Sequence, residues 1–189
     1  MHQLIFLRYR IAQNAVQRWM EVNMMREIMF RGRDPDTGRW YEGFYMALSE
    51  TTYCFKGDYD SHPENTKHYI VFDRMTDWGL PNQHLRADID PSTLGQFTGL
   101  LDKNGKRIFE GDVVKYTFDM PDNPNATENG KKVIIGRVFF SDWRASFSVT
   151  AGRNCSRNLN NDLFKYVRNG NRVEVIGNIH DNPELFKED

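Results

Sequence analysis

The sequence predicts a mainly β protein with two packed β-layers or small barrels, the C-terminal one SH3-like, and short helices only at its termini. Three observations carry this expectation. From Met25 onward, short runs rich in β-branched and aromatic residues recur between turn-forming residues. Asp-Pro-Asp-Thr-Gly and Asn-Gly sequences, both strong turn formers, separate neighbouring runs. Aromatic residues make up 13% of the 189-residue chain, enough to fill a sizeable core without disulfides or metal.

Residues 1–24 differ from the rest. They contain neither glycine nor proline, and Leu4, Leu7, Ile11, Ala15 and Trp19 recur at helical spacing beside Ile5, Ala12, Val16 and Met20. Arg8, Gln13, Gln17 and Arg18 line the other side, so the segment reads as an amphipathic helical extension. A second start, Met24-Met25, follows it directly. Two readings stay open: a helix that mediates association, or an upstream in-frame addition. Either way, the fold is expected to survive its removal.

The strand runs follow in order: Ile28 to Phe30, Trp40 to Met46, Thr51 to Phe55, His68 to Phe72, Val113 to Phe118, Val133 to Phe140, Phe147 to Thr150, Leu163 to Val167 and Val173 to Ile179. Asp34 to Gly38, Asp102 to Lys106 and Arg168 to Asn171 supply turns; type I′ hairpins are expected at Asn104-Gly105 and Asn169-Gly170. Residues 121–130, with one alanine as their only apolar residue, read as an exposed loop. The stretch 73–90 reads as irregular and as the seam between a first β subdomain, 25–90, and a second, 91–189. Pro183 at the first turn after Asp181 and Asn182 allows one short terminal helix.

Charge and cysteine usage narrow the function classes. Twenty-five basic against 26 acidic side chains leave a net charge of −1, so no overall field draws the chain to nucleic acid or lipid. Cys54 and Cys155 show no zinc spacing and read as reduced thiols of a cytoplasmic protein. The apolar run Leu4 to Leu7 is shorter than the roughly 7–15 residues of a signal h-region, so no membrane association is expected.

No local pattern identifies a reaction. Gly99 to Lys106 lacks the Walker spacing and has Arg107 where Ser or Thr belongs; the same Arg107 stands where a calcium loop needs glycine. No cofactor or metal is expected. His62, His68 and His84 share an acidic neighbourhood with Asp58, Asp60, Glu64, Asp73, Asp77, Asp88 and Asp90, which is the basis of an enzyme alternative, a hydrolase or metal-dependent enzyme. Residues 131–157 carry six basic side chains against Asp142, interleaved with Phe139, Phe140, Trp143 and Phe147. On strands that pattern suits a surface that neutralises phosphates and stacks bases, with Lys131, Lys132, Arg137, Trp143 and Arg144 as its candidate residues. The period of two equally sends some of these aromatics into the core.

Three blocks carry a family resemblance. Met25 to Gly32 is followed in place by Asp36 to Trp40; Thr93 to Val114 contains Gly-Gln-Phe-Thr-Gly-Leu-Leu-Asp-Lys-Asn-Gly-Lys and Phe-Glu-Gly-Asp; and Val175 to Leu185 closes the chain. On these residues the sequence, over about 25–186, resembles the YopX family of bacteriophage and prophage proteins. The resemblance implies a mainly β, barrel-like fold encoded among small accessory phage genes, with no assigned activity or catalytic residues. The C-terminal unit is then expected to be SH3-like. Gly95, Gly99, Asn104, Gly105, Gly111 and Asp112 are expected to be structural, turning and bending the chain within the central block. The expected function is a non-enzymatic module that binds a host protein or nucleic acid. A structural homo-oligomer is the remaining alternative.

Overall fold

The computed structural model describes residues 27–75, 81–119, 124–125, 127–150, 160–168 and 172–186. Strand pairing divides them into two antiparallel sheets, as the mainly β expectation requires. The first contains β1 (Phe30–Arg33), β2 (Trp40–Ser49), β3 (Thr66–Met75), β4 (Pro81–Asp88), β5 (Asp90–Leu101) and β6 (Arg107–Phe109), in the order β4-β3-β2-β1-β5-β6. The second contains β7 (Asp112–Tyr116), β8 (Ile134–Ser141), β9 (Ser146–Thr150), β10 (Asn160–Asp162) and β11 (Glu174–Asn178), in the order β10-β9-β8-β7-β11. Residues 1–24 and the Asn169-Gly170 turn lie outside the described residues.

The change of sheet falls at Glu110-Gly111, not near residue 90. The register explains the difference: β5 returns alongside β1, with Phe30 opposite Gln96 and Arg31 opposite Gly95, so the central block belongs to the first sheet. Of the polar stretch 73–90, expected to be irregular, residues 73–75 end β3 and 81–88 form β4, which pairs with β3, Phe72 opposite Leu85 and Ile70 opposite Ala87. Its polar composition suits an edge strand, and an edge position tolerates the proline with which it begins.

Helices are not confined to the termini. Short helices α1 (Lys56–Ser61), α2 (Glu128–Lys131) and α3 (Leu163–Arg168) interrupt the chain. Thr51 to Phe55, read as a strand, runs into α1 without pairing, and Phe55 is exposed. Leu163 to Val167, also read as a strand, is helical because its apolar residues fit period 3.6: Leu163 and Tyr166 are buried and Val167 packs beside them, while Phe164, Lys165 and Arg168 are exposed. Asp162 Oδ1 accepts the Phe164 amide at 3.0 Å, satisfying one of the first-turn donors. Within 121–130, read from the sequence as an exposed loop, Thr127 Oγ1 accepts the Gly130 amide at 3.1 Å and starts α2.

The larger core belongs to the second sheet. Val114, Tyr116, Val138, Phe147, Val149, Leu163, Tyr166, Val173 and Val175 pack with Ile108, which the first sheet contributes. Met29, Phe97 and Phe109 form a smaller cluster within the first sheet.

Of the three turns read from the sequence, those at Asp34 to Gly38 and Asp102 to Lys106 lie among the described residues, and both form. Asp34 Oδ1 accepts the Asp36 and Thr37 amides at 2.9 Å, turning β1 into β2. At Asn104-Gly105 only Gly105 has positive φ, +79°, so the hairpin is not type I′. Asp102 reorganises it: Oδ1 accepts the Asn104 and Lys106 amides at 2.8 and 2.9 Å, which favours a longer loop with one left-handed glycine. Gly95 serves a close approach instead. A Cβ there would lie 2.4 Å from the Glu110 carbonyl oxygen, so Gly95→Ala is expected to lower stability by about 1–3 kcal/mol in urea denaturation, through a forced backbone shift.

Candidate functional site

The three blocks of the family resemblance meet where the sheets join. Arg31, from the first block, places its guanidinium 5.0 Å from the ring centroids of both Trp40 and Phe109. Its Nη1 lies 2.7 Å from Asp112 Oδ1, in a pair whose side chains are 11% and 1% exposed. The contact is close but off the line of a hydrogen bond, and Arg31 Nε has no acceptor either. Asp112 Oδ2 accepts the Phe109 amide at 2.7 Å. Burial pushes the Asp112 carboxyl above its ordinary range, against the pull of Arg31.

The closing block completes this junction. Trp40 Nε1 and Asn178 Nδ2 each donate to Asp181 Oδ2 at 2.7 Å. Asn178 Oδ1 accepts the His180 and Asp181 amides at 2.9 and 2.8 Å. Arg33 Nη1 stands 3.8 Å from Asp181 Oδ1. Burial and the nearby Arg31 charge hold His180 below its ordinary value. The Gly111 amide donates to the Val138 carbonyl and its own carbonyl accepts the Ile179 amide, so the strand change is tied on both sides. Apart from Arg31 Nε and Asp112 Oδ1, these polar groups are directed at one another. Their evident work is to join the sheets.

The residues expected to be structural fall at this junction or in the hairpin beside it. Gly95 faces Glu110, Gly99 and Gly111 have φ of +81° and +83°, Asn104 and Gly105 form the turn, and Asp112 forms the buried pair. Asp102 is the residue that the sequence reading passed over. Besides closing its own turn, its Oδ2 accepts the Val175 amide at 3.0 Å, fastening the first sheet to β11.

The histidines of the acidic neighbourhood have separate partners. His68 Nδ1 and the Tyr45 hydroxyl are 2.7 Å apart, His62 Nδ1 lies 2.9 Å from Glu64, and His84 Nδ1 lies 2.5 Å from Asp73. Asp60 pairs with Lys56. Among the described residues, no group of three or more His, Cys, Asp or Glu side chains is arranged to hold a metal ion.

The nucleic-acid candidates separate into two places. Lys131 and Lys132 precede β8 and are exposed; Trp143 and Arg144 lie in the turn after it. Eight strand residues at about 3.3 Å each put roughly 26 Å between them. Arg137 lies midway and half-buried, with its amide donating to Thr150 Oγ1 at 2.9 Å. The aromatics of this stretch also divide: Phe139 and Phe147 are buried, whereas Trp143 is 89% exposed. The Arg144 guanidinium lies 5.9 Å from the Trp143 ring centroid. Ala145, at φ +48°, and the Arg144 amide bond to the Ser141 carbonyl hold the turn that presents the pair. Arg153 and Arg157 lie outside the described residues.

Comparison with known proteins supplies the relatives. The profile of the family described as YopX protein matches residues 29–187. A crystal structure described as protein EF1440 from Enterococcus faecalis is 20% identical and covers 86% of this chain and 100% of its own, with a TM-score of 0.41. No curated protein matches. Among the described residues, no helix is long and apolar enough to cross a membrane.

Proposed function

The chain belongs to the YopX family, and on that premise we propose that it is a phage or prophage accessory protein of the host cytoplasm, a non-enzymatic β module that binds a host protein. The C-terminal sheet, with the SH3-like character expected of it, is the binding unit. One observation carries this reading: Trp143 is 89% exposed at the tip of the β8–β9 hairpin, with Arg144 beside its ring. A tryptophan in that position adds nothing to the core. Tryptophan and arginine are the residue types that most often anchor protein interfaces, and a rigid two-strand turn presents them at little ordering cost.

Trp143→Ala tests the assignment. Its thermal midpoint is expected to stay within 1–2 °C of the parent, because exposed substitutions shift stability by only about 0.5 kcal/mol. The host protein captured by the full chain is expected to bind the variant at least about 30-fold more weakly, the loss of a hot-spot anchor. Unchanged affinity for every captured protein would remove the tip from the interface.

A further inference from the structure

We propose that the outer face of β2 and β3 is the docking site of the chain's own residues 11–20, whose apolar side packs against Phe44, Met46, Leu48 and Val71. This inference does not depend on the protein-binding role of the Trp143 tip. β2 is apolar on both of its faces. Tyr41, Gly43 and Tyr45 fall on one side, where Tyr45 stands opposite the fully buried Ile70. Phe44, Met46 and Leu48 fall on the other, opposite Val71, Tyr69 and Lys67. A strand with one covered face alternates apolar and polar residues, so this composition calls for cover on the second face too. Yet Phe44 and Leu48 are 66% and 44% exposed, and Met46 and Val71 are only half-buried. Apolar side chains that are exposed together, rather than scattered singly, mark an interaction surface.

The occupant follows from where the chain enters the sheet. Phe30 lies opposite Gly43 and Arg33 opposite Trp40, so β1, followed backward, points past Phe44 toward Leu48. The Met29 carbonyl accepts the Phe97 amide at 2.8 Å, which keeps this part of the chain in line with the ladder. Arg107 lies 3.2 Å from Glu42 and 3.9 Å from Glu27, so the first described residue is held at the Glu42 end of the same face. Residues 1–24 precede this point and lie outside the described residues. In sequence, their second half divides at helical spacing, with Ile11, Ala12, Ala15, Val16, Trp19 and Met20 on one side and Gln13, Asn14, Gln17 and Glu21 on the other. Helical steps from 11 to 20 cover roughly 14 Å, and the strand steps from Phe44 to Leu48 cover about 13 Å. The linker from Met20 to Glu27 reaches up to about 25 Å, enough to return over the patch. Attachment to the same chain raises the local concentration of this segment to the order of a millimolar, an advantage that no free partner has.

Photo-crosslinking of the purified full chain tests the docking. A photoreactive phenylalanine analogue replaces Phe44, and mass spectrometry maps the adduct. The expected adduct is with residues 11–20 of the same chain, so in an equal mixture of isotope-labelled and unlabelled protein it joins only peptides of like isotope. Trp19→Asp should lower its yield at least about 10-fold, because the carboxylate would be buried against an apolar face. Gln17→Asp, on the polar side, should keep it. The analogue in place of Trp143 should give no adduct with residues 11–20. Peptides of mixed isotope would place a second copy on the face and overturn the proposal. An adduct elsewhere, no adduct, retention in Trp19→Asp, loss in Gln17→Asp or equal labelling from position 143 would overturn it as well. Because Phe44 and Trp143 are exposed, both labelled chains are expected to melt as the parent does.

Discussion

Asp112→Ala is expected to lower the unfolding free energy by about 3–5 kcal/mol, the cost of breaking a buried ion pair from one side. The substitution leaves the Arg31 charge between Trp40 and Phe109 and removes the acceptor of the Phe109 amide. Urea denaturation should show a shifted midpoint with an unchanged slope, since the surface exposed on unfolding is the same. Arg31→Met in the Asp112→Ala background should recover part of the loss, because an apolar side chain can occupy the slot without an unpaired charge. A loss below about 1 kcal/mol would place Arg31 and Asp112 in a wetter, weaker contact, as for an exposed pair.

Asp102→Ala is expected to cost about 3–4 kcal/mol, because hydrogen bonds from three backbone amides to one buried carboxylate disappear together. Asp102→Asn should fall between the two. Its remaining oxygen can keep the Asn104 and Lys106 bonds, but its amide group cannot accept from Val175. This residue also predicts a pH dependence. Burial raises the Asp102 carboxyl, and the Val175, Lys106 and Asn104 amides outweigh burial and hold it below the ordinary range. A depressed carboxyl contributes stability above its unfolded pKa of about 3.9, and that contribution is lost as pH falls through the lower folded value. The stability gap between the parent and Asp102→Ala should therefore be constant from neutral pH down to about pH 5 and narrow below about pH 4. A gap that widens on acidification would contradict the assigned role.

Local signals in the sequence were sufficient for the fold class and for most strands. The run Trp40 to Met46 lies inside β2, and Val133 to Phe140 nearly coincides with β8, because β-branched and aromatic residues bounded by turns report directly on pleated backbone. Where pairing rather than composition decides, the local signal misled. β4 is polar and becomes a strand through its ladder with β3. The aromatic content of Leu-Phe-Lys-Tyr-Val outweighed its helical spacing, although Asp162 immediately before it was a readable cap. That misreading assigned Phe164 and Arg168 to the wrong geometry.

The junction was legible only as motifs. Nothing near Arg31 in the sequence indicates that its charge is met by Asp112, and nothing near Trp40 indicates Asp181, since those contacts form only when β5 returns along β1 and the closing segment folds back. Trp143 posed the opposite difficulty. Period two places alternate strand residues on one face, but Trp143 sits in the turn after β8, where the alternation ends. Its exposure is a property of the hairpin length.

Site-specific photo-crosslinking tests the binding role most directly. With a photoreactive phenylalanine analogue in place of Trp143 in the full chain, irradiation in host cells is predicted to give a discrete adduct with one host protein. The same analogue in place of Glu128, exposed at the far end of β8, should not give that adduct. Equal labelling from both positions, or no adduct from position 143, would contradict the account.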